Sequence, residues 1–327
     1  MIGRLPRCRC VLHRAVHLPF MALLVTSLIS LAAPSSTAAV QGKDEIHFHR
    51  IPVQRAYMKE ESLFRVAAAR SRGGRPSMFW PALELDSVSF GSSTATWDSA
   101  HEKLRRGEFP NAIPVFRMAA SESGCPSWMP PHAAYAEALA REQWALQDPS
   151  QLDGAVDAYA RVAEDHPAHR LAHVARMRRA RLLRASGRTD EARGGFEAAA
   201  TALDSAKADA DLTGKTDEET VAIQRAAKVM ATECRAEIAE TDRVGGRLDE
   251  AQRGFRDLLR DLNLQTIRAD GQAGAVQVDL FVKARLGQAE CLLAAGSIDD
   301  ALRDFEQAQR TPDAPDALKY GALAGQA

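Results

Sequence analysis

The sequence predicts an all-α protein, a solenoid of about five antiparallel helix pairs behind a small irregular N-terminal segment. Three observations predict it. A ten-residue pattern recurs five times between residues 107 and 305. Within each copy, small, aromatic and apolar residues are spaced to share one stripe of a helix. A second helical pattern precedes each copy.

The chain has 327 residues, enough for one large or two ordinary domains. Its first 39 residues form a distinct element. Arg4, Arg7, Arg9 and Arg14 open it with no acid, the apolar run Pro19–Ala33 follows, and "PSSTAAV" closes it. Basic, apolar and small-residue regions in that order are those of a secretory signal peptide, with cleavage expected after Ala38 or Ala39. The apolar run is short of the roughly 20 residues that span a bilayer. The expected location is therefore the periplasm or the exterior, with membrane contact only if the leader stays uncleaved. Losing residues 1–39 moves the net charge from −1 to −5, so bulk charge gives no reason to expect nucleic acid.

Residues 40–94 stand outside the repeat. "KEESLFRVAAARS" at 59–71 reads as a short helix, "RGGRPSMFWP" as a turn region and "LELDSVSFGSS" as one short strand. The segment is expected to be irregular and to cap the first repeat.

Residues 95–312 carry the repeat. The copies are "GEFPNAIPVF" at 107, "SQLDGAVDAY" at 150, "GRTDEARGGF" at 187, "GRLDEAQRGF" at 246 and "GSIDDALRDF" at 296. The sixth position is always Ala: Ala112, Ala155, Ala192, Ala251 and Ala301. The tenth is always aromatic: Phe116, Tyr159, Phe196, Phe255 and Phe305. An apolar residue follows three places later. The opening Gly, replaced once by Ser150, suits a left-handed turn that ends the preceding helix. Asp153, Asp190, Asp249 and Asp299 fall where a new helix begins and a carboxylate meets its free N–H groups. Ala100, Ala180, Ala239 and Ala289 lie seven residues before a turn Gly and let neighbouring helices approach. The long step after 196 predicts a loop near 213–216, with Thr216 or Asp217 capping the next helix. The tail, 313–327, reads as a C-terminal cap.

Helix, Gly turn, and a helix with Ala and an aromatic four apart resemble the tetratricopeptide repeat (TPR) family over residues 95–312. The resemblance implies a right-handed solenoid that binds a protein or peptide on its concave face, lined by the first helix of each pair. It departs from the family in its irregular spacing and in lacking most of the bulky aromatics early in the first helices. The family's carboxylate clamp uses Lys and Asn where this chain has Trp97 and His101, so binding of cytosolic chaperone tails is not implied.

No catalytic constellation is legible: no phosphate loop with Lys, no zinc-protease helix, no nucleophile elbow. His47 and His49 share one side of an extended segment, but without a third ligand they read as surface residues. No metal and no cofactor is expected. Cys125, Cys234 and Cys291 follow the leader in no metal-like spacing; Cys234 and Cys291 read as small buried residues, and a disulfide between them stays open.

One stretch, "HRLAHVARMRRARLLRASGR" at 169–188, carries seven Arg and no acid. Placed on the resemblance, Arg178, Arg181 and Arg184 fall where family members touch their ligands. A planar guanidinium fork suits carboxylates and phosphates. The expected function is thus a non-enzymatic scaffold of the cell envelope or exterior, holding an acidic protein or peptide partner at these residues. The alternatives are a solvated basic face, and a structural module of an envelope assembly bound through its ends and edges.

Overall fold

In a computed structural model of the chain, the described residues are 43–48, 52–71, 73–82, 85–91, 93–123, 125–209, 217–262 and 272–326. The leader, His49 and the loop expected at 213–216 lie outside them.

Eleven α-helices follow five strands among the described residues. The helices are α1 (Ala95–Arg105), α2 (Phe109–Ser121), α3 (Met129–Gln147), α4 (Leu152–Asp165), α5 (Arg170–Ala185) and α6 (Thr189–Asp209). Then come α7 (Asp217–Val244), α8 (Leu248–Asp261), α9 (Gln272–Ala294), α10 (Ile298–Arg310) and α11 (Asp316–Gln326). Successive helices pack in antiparallel pairs, α1 with α2 through α9 with α10. This is a TPR-like helical solenoid, as the repeat predicts, and α11 covers its last pair.

The turns confirm the sequence reading at the level of dihedral angles. Gly107, Gly187, Gly246 and Gly296 have φ of 74°, 81°, 78° and 79°, the left-handed region that a side chain resists. The Ser150 copy instead uses a short 3-10 turn, Pro149–Gln151, with Asp148 accepting from the Ser150 N–H.

The repeated side chains form the core. Ala112, Ala155, Ala192, Ala251, Ala301 and their five aromatic partners are all buried. Each aromatic lies between the two helices that flank its own. Phe116 meets Trp97 and His101 of α1, with ring centroids 5.8 and 5.1 Å away. At Phe255 the fit is tighter still: a Cβ added to Gly287 of α9 would lie 2.3 Å from that ring. Gly325 of α11 stands in the same relation to Phe305, at 2.4 Å. One position before the aromatic, Gly195 and Gly254 back onto Ala180 and Ala239, where added Cβ atoms would come within 3.1 and 2.9 Å. Burying an aromatic of this kind stabilises the fold by roughly 1.5–3 kcal/mol.

The repeated Asp residues do sit in first helical turns, but they do not cap. No side-chain cap bond forms at the starts of α4, α8 or α10. Asp153 and Asp249 are the second residues of their helices, two places past the cap positions Gln151 and Arg247. Two of these carboxylates link neighbouring repeats instead, Asp153 to Arg188 at 2.6 Å and Asp190 to Arg247 at 2.7 Å.

The largest departure from expectation is N-terminal. The short strand is there, as β5 (Leu85–Ser89), but it joins β1 (Asp44–Phe48), β2 (Gln54–Glu61), β3 (Arg65–Ala69) and β4 (Met78–Pro81) in an antiparallel sheet of order β4-β3-β2-β1-β5. The helix expected at 59–71 is the end of β2 and all of β3. Val66, Ala67, Ala68 and Ala69 are fully buried there, and ladders on both sides outweigh the helical preference of Ala. Strands β4 and β5 end the order on opposite sides, yet only residues 82–84 join them. Five flat strands would separate these edges by about 19 Å, more than such a link reaches, so the sheet curls around its own core of Ile46, Val66 and Leu85. Buried Asp44 on β1 ties its two neighbours together, accepting from the Met58 N–H of β2 at 2.7 Å and from the Gly91 N–H just past β5 at 2.9 Å.

Cys125, Cys234 and Cys291 are free thiols. Cys234 does not pair with Cys291; its Sγ lies 3.7 Å from Met177 Sδ. Burial pushes the two thiols up to about 12 and about 11, so both stay protonated and unreactive.

Gly287→Ala should lower stability by about 1–3 kcal/mol, because the new methyl overlaps the Phe255 ring. Gly246→Ala, where only the backbone angle resists, should cost about 1 kcal/mol. Urea unfolding of both variants beside the parent chain checks the size and the order.

Candidate functional site

First helices contact one another along the stack, α3 with α5, α7 with α9 and α9 with α11, while second helices mainly contact the first helices on either side. That places the first helices on the tighter, inner side. Their polar side chains make a ladder of ion pairs between repeats. Arg178 of α5 reaches Glu142 of α3 at 3.1 Å, and Glu142 also accepts the Tyr159 hydroxyl. Arg181 of α5 reaches Glu233 and Glu237 of α7 at 2.8 and 2.6 Å. Arg184 reaches Glu237 at 2.7 Å and lies over the Phe196 ring. Arg243 of α7 reaches Glu290 of α9 at 2.9 Å.

The three arginines singled out from sequence therefore do line the first-helix face, and each already holds a carboxylate of its own chain. An acidic ligand there has to compete with Glu142, Glu233 and Glu237. Burial works to raise the Glu237 carboxyl, but Arg181 and Arg184 outweigh it and bring it down to about 2. Arg181 is the most exposed of the three, its side chain at 34%.

A second cluster was invisible in the sequence. The turn between β2 and β3 brings Glu61 to the N-terminal ends of α3 and α5, where its side chain is 3% exposed. The carboxylate accepts from His132 Nε2 at 3.0 Å and from Arg170 Nε at 2.6 Å. His169 Nε2 stands 3.8 Å away. Ser62 forms a β-bridge with His169, and Leu63 and Phe64 join the apolar cluster of Met177, Leu183 and Met230. Nearby, Phe90 stacks on Trp128 at 3.6 Å, just before α3. The N-terminal segment thus reaches α3, α5 and, through β4, α7.

Glu61, His132 and His169 have the spacing of a metal-ligand set, their ligand atoms all within 4.8 Å of one another. Their hydrogen bonds fit a metal poorly. His169 Nδ1 accepts the Leu171 N–H at 3.2 Å as the cap of α5, which puts the ring proton on Nε2. His132 Nε2 likewise donates to Glu61. A metal would need both nitrogens bare, and it would face the Arg170 cation. The arrangement is instead a carboxylate held by the Arg170 guanidinium and the His132 ring. Burial alone would raise the Glu61 pKa, but His132 and Arg170 hold it well below the usual carboxylate range.

Burial lowers His169, His101 and His173 to about 4 each, from an ordinary 6.5. Neither ring nitrogen of His173 has a hydrogen-bond partner among the described residues. Of the His pair noted in sequence, His47 lies on β1 and His49 is outside the described residues.

No family model and no curated protein matches the chain. Among solved structures it is similar to a chain of nearly identical TPR-like repeats from Podosopora anserina, described as of kinesin light chain type. That match has 14% identity and a TM-score of 0.42, and covers 70% of this chain and 95% of the other. It is also similar to a tetratricopeptide repeat protein from Parabacteroides merdae, at 13% identity and TM-score 0.27, covering 71% and 98%. The fold described above rests on the helix pairs and their turns.

The buried imidazoles fix a pH response. With folded pKa values near 4, the unfolded chain binds more protons between about pH 6.5 and 4. Stability is therefore full above pH 6.5 and falls as pH drops through that window; Glu61, also lowered, adds to the loss below its ordinary 4.5. Urea midpoints at pH 7 and pH 5 should show the fall, and His173→Leu should flatten it without lowering the midpoint at pH 7.

Proposed function

We propose that the protein is a non-enzymatic interaction scaffold, exported by its N-terminal leader, which holds a protein or peptide partner on its first-helix face. One observation carries this reading: the first helices α3 and α5 already seat, at their N-terminal ends, a tight acidic and apolar turn, Glu61–Phe64, through side-chain and backbone contacts. A surface with those contacts is suited to reading a chain. Arg178, Arg181 and Arg184 enter as the charges that an acidic partner would engage, with Arg181 the most accessible.

A second reading has an observation of its own. Ile298 and Leu302 on α10, and Tyr320 and Leu323 on α11, are exposed, Tyr320 by 69%. Large apolar side chains on the last two helices favour a module docked through its C-terminal end in an envelope assembly.

Capture from an envelope extract with residues 40–327 separates the two. Arg181→Gln, keeping its helical circular dichroism, should weaken retention of the captured protein about tenfold, while Tyr320→Ser/Leu323→Ser leaves it unchanged. The reverse pattern would move the contact to the end of the stack.

A further inference from the structure

The Glu61–Phe64 turn contributes Leu63 and Phe64 to the apolar core of the helices, yet its contacts with them are those of a ligand. Its shape does not depend on the helices: the Ser62 N–H and hydroxyl both donate to the Arg65 carbonyl, at 2.8 and 2.9 Å. The sheet behind it has its own apolar core. What the helices supply is recognition. Arg170 and His132 each donate to one oxygen of the Glu61 carboxylate, and the strand-like bridge from His169 fixes the register. Leu63 and Phe64 then fill an apolar seat that includes Met177 and Met230. Backbone approach is also looser between α5 and α7 than between α3 and α5, and it is the long Arg181 and Arg184 side chains that span that step.

We propose that Glu61–Phe64 is an in-cis ligand of the first-helix face, and that the partner displaces it with the same chemistry: a carboxylate two residues ahead of a Leu–aromatic pair, carried on a tight turn. The inference rests on that face being the binding face. Released, the turn returns its carboxylate to water, and the incoming turn restores the same contacts to Arg170, His132 and the apolar seat. The resident turn sets the affinity, because the free protein is competent only in the fraction of time it is undocked.

The test uses a dye-labelled synthetic hairpin of residues 54–69, titrated against the full chain. Glu61→Gln weakens the resident turn and leaves the receptor side intact, so this variant should bind the hairpin at least about tenfold more tightly than the parent. A hairpin carrying the same Glu61→Gln change should bind at least about tenfold more weakly than the unmodified one. Equal binding by parent and variant, with helical circular dichroism retained, overturns the proposal and makes the turn a fixed part of the fold. Should Glu61→Gln lose its helices, the parent chain decides: excess hairpin that speeds amide exchange at 63–67 supports displacement, and unchanged exchange overturns it. A captured partner lost with Arg181→Gln yet indifferent to Glu61→Gln removes the in-cis ligand and keeps the binding face. A partner indifferent to both removes the face as well.

Discussion

The tenth-position ring of each repeat is buried between two helices, and the stack depends on those helices making room for it; in the last two repeats the room is a glycine notch in the helix that follows. Phe255 lies against Gly287 and Phe305 against Gly325, each at a distance that no methyl group could share. Ala180 against Gly195, and Ala239 against Gly254, bring the two helices of a pair close enough to hold the ring between them. The left-handed turn glycines then return the chain in the direction that repeats this contact. A single pair cannot bury both sides of its ring, so stability comes from neighbours.

Between repeats, charge adds to the apolar packing of the rings. The ladder from Glu142 through Arg178, then Arg181 and Arg184 to Glu237, runs along the inner side and joins helices far apart in sequence. On the turns, Arg188 and Arg247 reach back to the Asp of the previous repeat. Exposed pairs such as these turn contacts contribute little each. The buried ones fix which helix faces which, since an unpartnered carboxylate there would be costly.

The N-terminal sheet joins the helices through the same kind of contact. Glu61 leaves water only because Arg170 and His132 wait at the ends of two helices, and Leu63 and Phe64 follow it into the apolar seat. Fold and binding surface therefore meet at one turn. Charge placed to hold the chain's own segment is also charge that can read another's.

The sequence by itself determined the solenoid. A period in Gly, Ala and aromatic residues is a local signal, because each position acts on residues within a turn or two of helix, so pairs, turns and core were legible from Ala112 to Phe305. It also marked Arg178, Arg181 and Arg184 as lying on one face. Only the tertiary structure decided that these arginines meet Glu142, Glu233 and Glu237, that an Ala-rich run forms β3, and that Glu61 meets Arg170 across 109 residues. Such contacts follow from how separate elements dock, and no spacing within a single stretch encodes them. Ala67–Ala69 carry a helical preference that loses to two flanking strands, and an isolated Glu looks the same in sequence whether water or a guanidinium is waiting for it.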